Sequence, residues 1–173
     1  SQPLDYLLQQ GQESNLALIT KQRSWTYAEL DHLVGRIAHE LISRGLPSGS
    51  RVATWLPKTL LACVMPLAAV RAGMVHVPIN PLLKRGQVSH ILHDCAASLL
   101  ISQAGRIAQL LPDDVPENCT RIDEVELLAT SATDGEIAPL SAASPESLAA
   151  ILYTSGSTGR PKGVMLSQQN LWL

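Results

Sequence analysis

One stretch of the sequence concentrates groups that handle anions. TSGSTGRPKG, Thr154 to Gly163, holds four hydroxyl side chains, three glycines, one arginine and one lysine. Gly156, Gly159 and Gly163 permit backbone angles and close approaches that a Cβ would block. Thr154, Ser155, Ser157 and Thr158 offer hydroxyl donors, consecutive backbone N–H groups can form an anion-binding nest, and Lys162 adds a mobile positive charge. Residues of these types in this order suit phosphate oxygens. A Walker A loop is disfavoured, because Pro161 stands five positions after Gly156 and Lys162 is followed by Gly163. The dinucleotide pattern GxGxxG and the nucleophile elbow GxSxG both fail against the order Ser155, Gly156, Ser157, Thr158, Gly159. A flexible Gly/Ser linker would account for the composition, but not for Pro161-Lys162-Gly163 set between two apolar strands.

Such a loop needs a scaffold, and the rest of the sequence alternates extended and helical periods. Leu16 to Thr20 reads as a short strand that can pair with Trp25 to Tyr27 across a polar turn around Gln22. Thr26 and Glu29 have capping-box spacing, and Leu30, Leu33, Val34, Ile37, Ala38 and Leu41 then recur at helical period up to a stop at Gly45. Arg51 to Leu56 reads as a buried strand. A helix from about Thr59 to Ala72, kinked at Pro66, is terminated by Gly73. Val75 to Pro78 is the next strand. Gly86 to Asp94 is predicted helical, Ser98 to Ile101 extended, Gly105 to Leu111 helical, Thr120 to Ile122 extended and Leu148 to Tyr153 extended. This alternation predicts an α/β fold: a doubly wound, mainly parallel sheet with helices on both faces. Ala129 to Ser147, rich in Ala, Ser, Thr, Pro and Gly without period, is expected to be an exposed spacer.

Composition narrows the partners. At 173 residues the chain suits one compact domain or a piece of a larger one, and 46% hydrophobic residues against 16% charged can build a core. A net charge of −2, with three Trp, three Tyr and no Phe, recommends neither nucleic acid nor an anionic membrane. The longest apolar run, Leu60 to Val70, is broken by Pro66 and is far short of the ~20 residues of a transmembrane span. SQPLDYLLQQGQ lacks the basic and apolar segments of a secretory signal. Cys63, Cys95 and Cys119 form no CxxC pair and read as small hydrophobes in a reducing, cytoplasmic setting. His90 and His93, beside Asp94, lack a third ligand and are expected on a solvated helix face.

YTSGSTGRPKGVML, Tyr153 to Leu166, resembles the phosphate-loop signature of the adenylate-forming superfamily, which includes acyl-CoA synthetases, peptide-synthetase adenylation domains and luciferases. SWTYAEL, Ser24 to Leu30, and LAAVRAGMVHVPINP, Leu67 to Pro81, resemble that family's first two core motifs, in the right order. Capping, core and turn roles explain Tyr27, Leu30, Gly73, Val75, Val77 and Pro78 in those two motifs. The resemblance implies an AMP-forming ligase. A carboxylic acid attacks the α-phosphate of ATP, Mg2+-pyrophosphate leaves, and the acyl group passes to the thiol of coenzyme A or of a carrier protein. It makes Thr154, Ser155, Gly156, Ser157, Thr158, Gly159 and Lys162 the ATP-phosphate ligands, with Lys162 the catalytic cation.

NPLLKRGQVSHILHD, Asn80 to Asp94, is more similar to acyl-CoA ligases of fatty acid metabolism than to amino-acid-activating domains, and the general style is similar to bacterial ligases associated with exosortase systems. By the same resemblance, residues 1–173 correspond to the N-terminal portion of the adenylation domain. The adenine, magnesium and ribose motifs, and the C-terminal lysine, would follow Leu173, so this stretch alone is expected to be inactive. Gln168 stands where many relatives carry His. Leu171, Trp172 and Leu173 are expected to pack back onto the sheet or to associate with a second copy. A noncatalytic phosphate- or nucleotide-binding module, and a structural domain with a degenerate loop, are the alternatives from other functional classes.

Overall fold

The computed structural model describes residues 2–131, 135–155 and 159–172. A 3-10 helix, Leu4–Gln9, precedes an antiparallel pair, β1 (Leu16–Ile19) and β2 (Ser24–Thr26). Then follow α1 (Tyr27–Ile42), β3 (Arg51–Trp55), α2 (Leu60–Arg71), β4 (Val75–Ile79), α3 (Arg85–Asp94), β5 (Leu99–Ser102) and α4 (Ala104–Ile107). After a 3-10 turn at Pro112–Asp114 come β6 (Thr120–Asp123), α5 (Glu124–Ser131), β7 (Leu148–Ser155), β8 (Pro161–Ser167) and α6 (Gln168–Leu171).

Six strands form one sheet in the order β6-β5-β3-β4-β7-β8, parallel at every pairing except the last. Period-two alternation divides its side chains between two cores. Val52, Leu99 and Ile101 face α1 and α2 with Ile37, Leu41, Leu61 and Met65, while Ala53, Val75, Val77, Leu100 and Ile151 face α3 with Val88, Ile91 and Leu92. Helices thus cover both faces, as the alternation predicts.

Local rules account for the element ends. The Thr26 hydroxyl accepts from the Glu29 N–H at 3.2 Å, and the Glu29 carboxylate accepts from the Thr26 N–H at 2.8 Å, closing the expected capping box. Gly45 and Gly73 take φ of 68° and 73°, the left-handed conformation in which glycine has no Cβ penalty. Pro66 lies inside α2, which continues unbroken from Leu60 to Arg71. One buried polar junction ties the layers together: Arg71 bonds Asp5 at 3.2 Å and Asp31 at 2.7 Å, and Asp5 also accepts from the Ser141 N–H at 2.8 Å.

The structure corrects two expectations and adds one element. The predicted spacer begins inside α5, and Ala138, buried, donates its N–H to the Gly35 carbonyl at 3.0 Å. Gly35, lacking the Cβ that would collide with Ile137, lets this backbone lie directly on α1. The helix expected from Gly105 to Leu111 is one turn, Ala104–Ile107, followed by a tighter turn at Pro112. The N-terminal 3-10 helix is an addition, too short to declare a period. At the other end, Leu171 and Trp172 are half-buried and the Ser167 hydroxyl caps α6 through the Asn170 N–H; Leu173 lies outside the described residues. No described helix is long and apolar enough to cross a membrane.

Candidate phosphate-loop site

The candidate loop joins β7 to β8, at the carboxyl end of the parallel strands, where open α/β sheets place their ligands. β7 runs outward from the core: Ala149, Ala150 and Ile151 are buried, whereas Thr154 and Ser155 are exposed. The antiparallel register pairs Ser155 with Pro161, Thr154 with Lys162 and Tyr153 with Gly163. By strand alternation Thr154 and Lys162 share one face of the hairpin, and Tyr153 and Gly163 share the other.

Of the sequence-predicted residues, Thr154, Ser155, Gly159 and Lys162 are all exposed around this turn, while Gly156, Ser157 and Thr158 lie outside the described residues. Gly159 has φ 78° and an imagined Cβ would meet nothing within 4 Å, so glycine is needed there for conformation rather than space. Gly163 is the reverse case. A Cβ there would come within 3.0 Å of the Ile151 Cγ2 and 3.1 Å of the Tyr153 Cζ, so the bare backbone makes room for the tyrosine ring. Arg160 and Lys162 are exposed cations with no ion-pair partner among the described residues. Two unpaired positive charges beside hydroxyls and a left-handed turn make a site for an anion with several oxygens.

Two contacts that the sequence did not disclose fasten this hairpin to α3. The Tyr153 hydroxyl donates to Asp94 Oδ2 at 2.6 Å, and the His90 Nε2 lies 3.0 Å from the Pro161 carbonyl oxygen. Burial, then the Asp94 bond, push the Tyr153 hydroxyl well above the usual phenol range, so it remains the donor. The expectation of a merely solvated face is therefore corrected for His90 and holds for His93. His90 is half-buried against the loop, and His93, exposed, lies 2.9 Å from the Asp113 carbonyl oxygen. A helix-period signal exposes residues 90 and 94 as neighbours one turn apart, but not what they touch.

Further along the same carboxyl edge, Glu124 after β6 accepts from the Thr59 hydroxyl at 3.0 Å and from Gln103 Nε2 at 2.8 Å. These three residues end β6, the β3 connection and β5, and they brace the edge without facing the loop. A cleft of about 330 Å³ lies between Gly86–His90 and Gly159–Pro161. A larger one, about 880 Å³, opens at the opposite end of the strands near Arg51, Gly73 and Gln168, so size alone does not mark the site. Gln168 is buried there, its carbonyl accepting from the Leu4 N–H at 2.9 Å. No cluster of three or more His, Cys, Asp or Glu that could hold a metal occurs among the described residues.

A family model for AMP-binding enzymes matches residues 9–172. The chain belongs to the AMP-binding enzyme family. Among curated relatives of this AMP-binding chain, malpibaldin synthetase of Mortierella alpina is 36% identical over 156 residues, covering 90% of this chain and 3% of the synthetase. The hybrid PKS-NRPS synthetase xenE of Xenoacremonium sinensis is 36% identical over 151 residues, 86% of this chain and 4% of that protein. Among solved structures, ATP-bound MatB from Rhodopseudomonas palustris superposes with a TM-score of 0.81 at 31% identity, covering 97% of this chain and 35% of MatB. The AMP-binding chain therefore spans a few per cent of those synthetases and about a third of MatB. The expected membership of the adenylate-forming superfamily and the expected α/β fold both stand.

Proposed function

We propose that this chain supplies the phosphate-gripping part of an ATP-dependent, AMP-forming ligase that activates a carboxylic acid as its acyl-adenylate and passes the acyl group to a thiol. The observation that carries this reading is the β7–β8 hairpin, which sets Thr154, Ser155, Gly159, Arg160 and Lys162 around one exposed turn in a family defined by AMP binding. Superposition on an ATP-bound enzyme supports ATP as the ligand.

In the proposed reaction the carboxylate oxygen bonds to the α-phosphorus and the bond to the bridging oxygen of pyrophosphate breaks, that oxygen keeping the electron pair. Charge gathers on pyrophosphate as the bond breaks. Donors and a cation fixed around it therefore favour the transition state over the ground state. In this reading Lys162 is the catalytic cation, and Thr154, Ser155, Gly156, Ser157, Thr158 and Gly159 are the phosphate ligands that the sequence resemblance implies. Magnesium, when bound, neutralises the triphosphate. Among the described residues Thr154 and Ser155 offer hydroxyl donors to the phosphates, and no cluster of carboxylates is present to hold the metal.

For the acceptor, coenzyme A follows from the resemblance of Asn80 to Asp94 to acyl-CoA ligases. The 36% identity to a synthetase named as a PKS-NRPS hybrid favours a second reading, an amino-acid-activating domain that loads a carrier-protein thiol. ATP–pyrophosphate exchange by the complete protein, with parallel panels of fatty, dicarboxylic, aryl and amino acids, tests both. Exchange with a non-amino acid, followed by thioester formation on coenzyme A, is the expected result. Exchange confined to amino acids would move the assignment to the second reading, and none with any acid would remove the ligase.

A further inference from the structure

Both arms of the phosphate loop are held by the same face of one helix. α3 carries His90 and Asp94 four residues apart, one turn along the helix and therefore on one side of it. Asp94 binds the incoming arm through the Tyr153 hydroxyl at 2.6 Å, just before the loop begins. His90 binds the outgoing arm at the Pro161 carbonyl, 3.0 Å away, on the residue that re-forms the antiparallel pair with Ser155. The Pro161 ring is buried, and Gly163 lacks the Cβ that would push Tyr153 off its seat. A carbonyl can only accept, so Nε2 of His90 carries the hydrogen. It does so in one neutral tautomer and in the imidazolium alike.

We propose that α3 is the clamp of the phosphate loop, with His90 and Asp94 as positioning residues that fix the separation and tilt of the loop's two arms, and so the geometry it presents to a polyphosphate. The clamp rests on the ligase reading above for its ligand, but not for its mechanical content. Neither residue need touch a phosphate. Lys162 and Thr154 lie on the opposite face of the hairpin from Tyr153, so α3 grips the hairpin from behind while its other face stays open. Without the clamp the described bonds between the arms are those of the β-ladder, at an edge where Lys162 and the next three residues of β8 are all exposed. An exposed two-stranded ribbon is marginal by itself.

The test uses the complete protein and four variants: His90→Ala, His90→Gln, Asp94→Ala and Asp94→Asn. Gln keeps a side-chain N–H donor for the Pro161 carbonyl, and Asn keeps an acceptor for Tyr153. Hydrogen exchange without nucleotide is read at the amides of Thr154, Ser155, Gly159, Arg160, Lys162 and Gly163. Those of β5 in the same sample report whether the fold is intact. Both alanine variants should exchange about 5-fold faster in the loop arms, the equivalent of one hydrogen bond. Exchange in β5 should be unchanged, and Gln and Asn should restore most of the protection.

In the pyrophosphate-exchange assay the same alanine variants should raise KM for ATP about 5-fold and leave KM for the acid unchanged. A generally loosened fold would not produce that split. Loop protection equal to wild type in both alanine variants would overturn the clamp, whatever the activity. Should neither alanine variant keep β5 protected, the decision passes to His90→Gln and Asp94→Asn, in which loop exchange as fast as in the alanine variants would also overturn it. A wild-type protein that exchanges pyrophosphate with no acid would remove the ligase instead, while the hydrogen-exchange result would still decide whether α3 holds the loop.

Discussion

β5 and β8 belong to one sheet and obey opposite rules. All four residues of β5 are buried, between α2 on one face and α3 on the other, whereas only Pro161 of the seven residues of β8 is buried. Among the described residues β5 has a partner strand on each side, β3 and β6, while β8 pairs with β7 alone. The contrast separates stability from chemistry. Free energy of folding is concentrated where apolar side chains leave water. The groups proposed to meet a charged ligand sit on an edge that is exposed among the described residues, held by a few directed bonds.

The largest effect that would sharpen this contrast is on the β5 side. Leu100 is fully buried against α3, and Leu100→Ala removes its contacts and leaves a cavity, at a cost of about 2–5 kcal/mol. Thr154→Ala, on the exposed hairpin, should change stability by less than about 0.5 kcal/mol. Urea denaturation of both variants checks the pair. Similar losses at the two sites would mean that the hairpin is built into the core after all.

The interior also carries a fully enclosed histidine. His76 on β4 is fully enclosed and hydrogen-bonded to the Thr54 hydroxyl at 2.8 Å, and burial pushes its pKa down to about 4. The unfolded chain, with an ordinary pKa near 6.5, therefore binds this proton more readily. Stability should be fully present above about pH 6.5 and fall progressively as pH drops through about 4, by roughly 3 kcal/mol from this group. Urea midpoints across that window should fall more steeply for the wild type than for His76→Gln. Parallel curves would show that His76 takes up its proton equally well in the folded protein.

How much of this was legible in the sequence follows the same division. The capping box at Thr26 and Glu29, the stops at Gly45 and Gly73, and the six apolar positions of α1 are local signals, and the structure contains them where the pattern places them. The run of hydroxyls, glycines and cations from Thr154 to Gly163 is a local signal too, and the structure sets its described residues around one exposed turn. Their supports were not legible. Tyr153 meets Asp94 across 59 positions and Pro161 meets His90 across 71, and no periodicity encodes which helix lies beneath which turn. The stretch after α5 misled for a related reason. Alanine and serine give no period, yet Ala138 bonds the backbone of α1 at Gly35, where a Cβ would collide with Ile137.

On the edge itself, Lys162 carries the sharpest test. Lys162→Ala in the complete protein should slow adenylation by about 10- to 1,000-fold, the range for removing one preorganised donor from a charged transition state. Acid affinity and folding stability should barely change, because the side chain is exposed and without an ion-pair partner among the described residues. An unchanged rate of pyrophosphate exchange would take Lys162 out of the site. A loss of stability equal to that of Leu100→Ala would erase the distinction between the two strands.

The smallest effect isolates conformation from contact. Gly159 sits at φ 78° with open space where a Cβ would point, so replacing it creates no clash and removes no side chain. What remains is the cost of holding an L-residue in the left-handed region, about 1–2 kcal/mol for alanine. Asparagine visits that region more readily, through local hydrogen bonding by its short polar side chain, so Gly159→Asn should lose less than Gly159→Ala. Valine, branched at Cβ, should lose the most. The order Val, Ala, Asn in lost stability, measured by urea denaturation without nucleotide, would show that the turn's backbone angles are fixed before any phosphate arrives. Equal and negligible losses would mean that Gly159 leaves the left-handed region at no cost, and that the ligand rather than the hairpin and its α3 anchor imposes the shape of the loop.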